Sequence, residues 1–213
     1  MPRSVLLAGA TGLVGGEILA QLATDDGVGE VRVLVRRPIE AAVPSKARVI
    51  VADFDALAAH PEWFRVDQVF SALGTTIGKA GSQEAFRRVD LTFPRSIATL
   101  ARAQGARHLL LVSAIGSDAR SRIFYSRVKG ELEEAVLSLG FPSVTIARPS
   151  VLMGARQELR LGELMMKRVG FLLPAVWKPV AARQVASGLV RAAREDAPGV
   201  RILDNVALRR EPR

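Results

Sequence analysis

Short apolar runs alternate with longer helical patterns along the chain. Within each run the apolar residues are mostly continuous, which is typical of strands buried on both faces of a parallel sheet. The predicted strands are Ser4–Ala8, Val31–Val35, Arg48–Ala52, Gln68–Ala72, His108–Val112 and Ser143–Ala147. The predicted helices are Leu13–Ala23, Gln83–Gln104, Arg122–Leu139, Glu158–Arg168 and Ala181–Arg194.

Strands that alternate with helices favour an α/β fold with a doubly wound parallel sheet and right-handed crossovers. A chain of 213 residues is long enough for one such domain with a full core. The last part, about residues 150–213, includes the short apolar segment Val200–Leu203 and is too short for a large core of its own. We therefore expect one domain, residues 1–213, whose small C-terminal appendage packs beside the sheet on the substrate side.

The first predicted strand leads into a glycine-rich turn, Gly9-Ala-Thr-Gly12-Leu-Val-Gly15, that opens the first helix. In this arrangement the first glycine permits a tight turn, the second lets the backbone approach a pyrophosphate, and the third lets the helix pack on the sheet. The helix N-terminus offers free N–H groups and the positive end of its dipole to the phosphates. The turn predicts a dinucleotide-binding Rossmann fold.

The end of the second predicted strand indicates which dinucleotide binds. A site for NAD usually carries an acidic residue about 20 residues after the glycine turn, where it binds the ribose 2′-hydroxyl. This chain has Arg36 and Arg37 there, and no acid. Because a guanidinium matches phosphate geometry and stacks on adenine, we expect NADP(H).

Two further loops follow predicted strands at the carboxyl edge of the sheet, where such sheets bind ligands. Asp53 follows the third strand and is placed to accept a hydrogen bond from the adenine amino group. Gly74 follows the fourth strand and permits close approach to the cofactor, while Thr75 offers a hydroxyl. We expect both loops to line the cofactor site.

Tyr125 and Lys129 lie four residues apart on a predicted helix and therefore on one face of it. Reduction of a carbonyl needs a proton donor to the oxygen as hydride reaches the carbon. A free tyrosine has a pKa of about 10, and an ammonium one turn away favours the phenolate, so such a pair suits this task. Ser113 ends the fifth strand and is placed to hydrogen-bond the substrate carbonyl.

Composition removes several classes of function. The chain has no cysteine and two histidines, which excludes disulfides and thiolate catalysis and disfavours a metal site. Its net charge of +9 comes from scattered arginines without a dense stripe, so we expect no nucleic-acid partner. No uncharged stretch exceeds 13 residues, the length of Ala135–Ala147, whereas a membrane span needs about 20. We expect no membrane association and a cytoplasmic location.

The glycine turn, Ser113 and Tyr125-Ser-Arg-Val-Lys129 together resemble the short-chain dehydrogenase/reductase superfamily in its atypical branch. Three longer segments resemble the narrower Tat-interacting-protein 2-like oxidoreductases: Leu73-Gly-Thr-Thr-Ile-Gly-Lys-Ala-Gly81, Arg88-Val-Asp90 and Arg148-Pro-Ser-Val-Leu-Met-Gly-Ala-Arg-Gln-Glu158. The resemblance implies an NADP(H)-binding Rossmann fold and places Arg148 and Pro149 on the nicotinamide side. Many members carry an asparagine that organises a proton relay, and the nearest counterpart here is Asp90.

These features predict an NADP(H)-dependent oxidoreductase that transfers hydride to a carbonyl-type small molecule. The predicted catalytic residues are Ser113, Tyr125 and Lys129. The predicted cofactor contacts are Gly9, Thr11, Gly12, Leu13, Val14, Gly15, Arg36, Arg37, Asp53, Phe54, Leu73, Gly74, Thr75, Tyr125, Lys129, Arg148 and Pro149. Two alternatives stay open: an NADPH-sensing regulatory protein with little turnover and a protein partner, and a sugar-nucleotide epimerase or reductase. The sequence specifies neither the substrate nor the oligomeric state.

Overall fold

The computed structural model describes residues 2–40, 42–153 and 174–212. Within them, seven parallel strands form one sheet. Helices cover both faces, which confirms the predicted doubly wound fold. The predicted helix Glu158–Arg168 and the end of the Arg148–Glu158 segment lie outside the described residues.

The strands of the main sheet are β1 Arg3–Ala8, β2 Val28–Val35, β3 Ala47–Val51, β4 Gln68–Ser71, β5 His108–Val112, β6 Ser143–Arg148 and β9 Gly199–Asp204. They lie in the order β3-β2-β1-β4-β5-β6-β9. Two short strands, β7 Leu152–Met153 and β8 Val180–Ala181, pair with each other. The helices are α1 Leu13–Ala23, α2 Ile77–Ala80, α3 Gln83–Arg87, α4 Phe93–Ala103, α5 Phe124–Leu137, α6 Ala182–Glu195 and α7 Asn205–Leu208. None of the helices in the described part of the chain is long and apolar enough to cross a bilayer.

The core forms two apolar layers, one on each face of the sheet. Val5 and Leu7 of β1 face the layer that contains α1 and α6, whereas Leu6 and Ala8 face the layer that contains α4 and α5. All four side chains are fully buried. Because successive strand residues point to opposite faces, burial of both faces explains the continuous apolar runs.

The structure differs from the predicted elements in two places. The predicted helix Gln83–Gln104 is divided by a π-helical turn, Arg88–Thr92, between α3 and α4. The segment Val200–Leu203 belongs to β9, which pairs with β6 as the edge strand of the main sheet. Sequence analysis missed this strand because pairing between distant segments leaves no local pattern. Much of the expected C-terminal appendage is therefore part of the sheet and its flanking helices.

Candidate functional site

The glycine turn brings the N-terminus of α1 to the carboxyl edge of the sheet. Gly9 has a φ of +92°, and a Cβ there would lie 2.4 Å from the Ala72 carbonyl oxygen at the end of β4. A Cβ at Gly15 would lie 2.0 Å from the Gly9 carbonyl oxygen, so α1 packs directly on the turn. No acidic residue occupies the first turn of α1. The positive end of this helix is thus available to a phosphate.

The first turn of α1 offers backbone rather than side-chain contacts. Val14 is buried in the core, and Leu13 packs against the same cluster. The N–H of Gly12 donates to the Gly9 carbonyl oxygen at 2.8 Å. A cofactor held by Leu13 and Val14 would therefore be bound through their N–H groups.

An open cleft of about 470 Å³ lies at the carboxyl ends of β2 and β3. Of the residues predicted to bind cofactor, Arg36, Asp53 and Phe54 line it, whereas Arg37 is exposed and does not. The cleft is lined by Arg36, Val51, Ala52, Asp53, Phe54, Asp55, Ala85, Arg88, Val89 and Phe93. Its position beside the glycine turn and its mixed apolar and charged lining suit the adenosine half of a dinucleotide.

The charged groups of this cleft are exposed. Arg88 pairs with Asp55 at 2.5 Å, and its guanidinium lies 5.5 Å from the centroid of the Phe93 ring. The hydrogen bond to Asp55 raises the pKa of Arg88 above its usual value. Asp53 accepts the N–H of Asp55 at 2.9 Å, which fixes the turn after β3.

On the other side of the glycine turn, α5 carries Tyr125 and Lys129 one helical turn apart. Tyr125 is half-buried, and its ring packs against Phe86 with centroids 5.7 Å apart. Lys129 is buried, and its Nζ lies 2.8 Å from Oδ1 of Asp90. Asp90 Oδ2 accepts the N–H of Thr75 at 2.8 Å. The structure thus brings Lys129 together with the loop after β4 through Asp90.

Ser113 lies in a buried polar network. Its hydroxyl donates to Oε1 of Glu133, and its oxygen lies 2.9 Å from the Ser117 hydroxyl, which donates to the Ala114 carbonyl at 2.7 Å. Glu133 is buried and also accepts from Arg148, at 3.1 Å from Nε and 2.5 Å from Nη2. This hydrogen bond raises the pKa of Arg148 above its usual value. Because a hydroxyl has one proton, Ser113 must leave Glu133 before it can donate to a substrate. Its catalytic role stays a prediction.

Glu133 was missed by sequence reasoning although a signal was present. It follows Lys129 by four residues, so Tyr125, Lys129 and Glu133 share one face of α5. Gly130 also fixes this helix, because a Cβ there would lie 2.1 Å from the Ala119 backbone nitrogen. Two buried ion pairs and one close backbone contact therefore set the rotation of α5 and the direction in which Tyr125 projects.

The loop after β6 is held from two sides. The Pro149 carbonyl accepts the N–H of Ile115 at 2.9 Å, which joins it to the loop after β5. The side chain of Asn205 accepts the N–H of Ser150 at 2.9 Å and donates to the Lys178 carbonyl at 2.8 Å. Asn205 is buried and was not predicted as a site residue. It connects this loop to the start of α7.

Comparison with known proteins defines the class first. The family described as NAD(P)H-binding matches residues 9–156, and the chain belongs to it. Solved structures with the same fold include MoeE5 in complex with UDP-glucuronic acid and NAD, at a TM-score of 0.74 and 16% identity over 93% of this chain and 75% of that one. The Bordetella bronchiseptica enzyme WbmH in complex with NAD+ has a TM-score of 0.74 and 13% identity over 96% and 76%. These low identities show the fold alone.

Sequence relatives then define the branch. "Protein HTATIP2" of Rattus norvegicus is 35% identical over 178 residues, covering 82% of this chain and 73% of the relative. "Protein FMP52, mitochondrial" of Candida albicans is 32% identical over 196 residues, covering 85% and 84%. The chain is therefore a member of the atypical short-chain dehydrogenase/reductase branch that contains HTATIP2, Tat-interacting protein 2. This confirms the resemblance seen in the sequence.

The expected cytoplasmic location is wrong. Relatives from Candida albicans, Scheffersomyces stipitis and Aspergillus niger are named as mitochondrial proteins. The inference failed because the lack of a membrane-spanning stretch does not specify the compartment in which a protein is found.

Proposed function

We propose that this protein is an NADP(H)-dependent oxidoreductase that reduces a carbonyl group on a small molecule. Membership of an NAD(P)H-binding family supports the cofactor class. The observation that carries the reaction is the shared face of Tyr125 and Lys129 on α5, with the Lys129 ammonium held beside the cofactor loop by Asp90. A tyrosine next to a fixed positive charge is suited to proton transfer.

The residues present fit the cofactor. The glycine turn and the N-terminus of α1 would hold the pyrophosphate, and the open cleft would hold the adenosine. Arg36 lines that cleft and is exposed, so its guanidinium can bind a 2′-phosphate. This arrangement supports NADP(H) over NAD(H).

When bound, the reduced nicotinamide supplies the hydride for the carbonyl carbon. Tyr125 then gives its hydroxyl proton to the carbonyl oxygen, which yields the alcohol and leaves a phenolate on the protein. The Lys129 ammonium stabilises that phenolate, and a proton from water restores the hydroxyl. Ser113 would donate to the same carbonyl oxygen after releasing Glu133. In this proposal residues 1–213 act as one domain.

The test is NADPH consumption with a panel of aldehydes, ketones and quinones. Tyr125→Phe should lower kcat by roughly 10²-fold or more, because it removes the proton donor, while NADPH still binds. Phe124→Leu is the matched control, since Phe124 also packs against Phe86 but has no hydroxyl. Undiminished turnover in Tyr125→Phe would refute the proton-donor role.

The two alternatives predict different results in the same assay. NADPH binding without reduction of any acceptor would favour the regulatory protein, whose protein partner remains a prediction. Turnover confined to sugar nucleotides would favour the epimerase or reductase alternative.

A further inference from the structure

The proposed function uses one contact of the buried Asp90 carboxyl group, the ion pair with Lys129, and leaves its contact with the loop after β4 without a role. Asp90 lies in the π-helical turn between α3 and α4 and is fully buried. π-Helical turns inside α-helices occur frequently at functional sites. The partners of this carboxyl group therefore indicate what the turn does.

The two oxygens of Asp90 contact two different elements. Oδ2 accepts the backbone N–H of Thr75 at 2.8 Å, and Oδ1 lies 2.8 Å from Lys129 Nζ on α5. Gly74 covers this pair, because a Cβ built on it would lie 3.5 Å from Oδ1 and 3.8 Å from Nζ. The cofactor loop, the π-helical turn and α5 thus meet at one carboxylate.

Burial makes this contact important for the position of Lys129. The side chains of Lys129 and Asp90 are 5% and 1% exposed. A buried ammonium without a counter-charge is strongly destabilised, so the contact with Asp90 favours this position of the Lys129 side chain. The contact is an ion pair rather than a well-directed hydrogen bond, since Oδ1 accepts no such bond within the described residues. The three N–H donors of the ammonium are therefore not all taken up by Asp90.

We propose that Asp90 is a positioning residue that holds Lys129 and the loop at Gly74–Thr75 as one unit, so that cofactor binding and the placement of Lys129 depend on each other. The inference rests on the proposed function only in that Lys129 contacts the bound cofactor. A purely structural ion pair would affect the stability of the fold and leave cofactor affinity per folded molecule unchanged.

A double-mutant cycle on the dissociation constant of NADPH tests the proposal. The cycle compares the wild type, Asp90→Asn, Lys129→Met and the double variant. Asparagine can still accept the N–H of Thr75 but carries no charge. Asp90→Asn should weaken NADPH binding about tenfold when Lys129 is present and less than about twofold when Lys129 is replaced by Met. The effects of substitutions at two residues that act through one another are not additive.

Thermal unfolding of the same proteins distinguishes an effect on the position of Lys129 from an effect on the stability of the fold. The double variant should unfold at a higher temperature than Asp90→Asn, since it no longer contains a lone buried charge, and should still bind NADPH weakly. Additive effects on binding would overturn the proposal. An unchanged NADPH affinity in Asp90→Asn together with a lower unfolding temperature would also overturn it.

Asp25→Asn is the matched control. Asp25 is also a buried carboxylate, but it pairs with Arg194 at 2.9 Å and Arg3 at 3.3 Å near the opposite edge of the sheet. This variant should lower the unfolding temperature without changing NADPH affinity.

The double-mutant cycle measures binding, so failure to find an acceptor would refute the proposed reaction and leave this test intact. With an acceptor, Asp90→Asn should lower kcat by a larger factor than it changes the KM of that acceptor.

Discussion

The two sides of the glycine turn hold their charges in opposite ways. In the cleft at the ends of β2 and β3, Arg36, Arg88 and Asp55 are exposed. Around α5, both members of the Lys129–Asp90 pair are buried, and in the Arg148–Glu133 pair Glu133 is buried while Arg148 is partly exposed. Exposed charges can exchange their partners for a ligand at small cost, whereas buried charges stay with one partner. The first arrangement suits recognition of a cofactor phosphate, and the second suits fixed placement of reacting groups.

The difference follows from the environment of each charge. Water and salt screen exposed pairs, so each contributes little to the stability of the fold. In a buried pair the two charges compensate each other, and removal of one leaves the other without solvation. We therefore expect loss of a buried charge on the α5 side to lower the stability of the fold, and loss of an exposed charge in the cleft to leave that stability nearly unchanged.

Glu133→Ala should give the largest effect. We expect the free energy of unfolding to fall by about 3 kcal/mol, near the low end for breaking a buried pair, because Arg148 is 37% exposed and can be partly resolvated. Ser113 also loses its acceptor. Urea denaturation measures the change. Glu131→Ala is the control on the same helix, since Glu131 pairs with Arg87 near the surface. Equal losses in the two variants would contradict the comparison.

Arg36→Ala should have an intermediate effect, which is confined to cofactor binding. We expect about tenfold weaker binding of NADPH and little change for NADH, because only NADPH has the 2′-phosphate that a guanidinium binds. Titration of both dinucleotides measures this. Arg37→Ala is the control, because Arg37 is exposed but does not line the cleft. If Arg36→Ala weakens both dinucleotides equally, the assignment of the 2′-phosphate site is wrong.

Asp55→Asn should give the smallest effect. It breaks the exposed ion pair with Arg88, which keeps its contact with the Phe93 ring. The midpoint of thermal unfolding should move by less than about 2 °C, because screened surface pairs contribute little. Scanning calorimetry measures this midpoint. A larger shift would show that the stability of the cleft side also depends on fixed ion pairs.

Several elements of the site were predictable because their signals are local. The continuous apolar run of β1, followed by three spaced glycines, predicted the strand, the turn and the first helix. The four-residue spacing of Tyr125 and Lys129 predicted one shared helix face. These patterns depend on the period of a helix or strand, which can be recognised from the spacing of nearby residues.

Other features depended on residues far apart in the chain. Asp90 meets Lys129 across 39 positions of sequence only because α5 packs against the π-helical turn. The hydroxyl of Ser113 donates a hydrogen bond to Glu133, which lies 20 residues further along the chain and leaves no signal at the end of the strand. Arg36 and Arg37 look equivalent in sequence, yet only Arg36 lines the cleft.

The sequence by itself determined the class of fold, the glycine turn and the helix that carries Tyr125 and Lys129. These features depend on periodic burial and on local backbone conformation, and both can be inferred from the types of neighbouring residues. Only the tertiary structure decided which charges are buried, which partners neutralise them and that β9 completes the sheet. Those outcomes depend on how separate elements pack together, because the energy of a charge is set by the solvent and the groups around it in space.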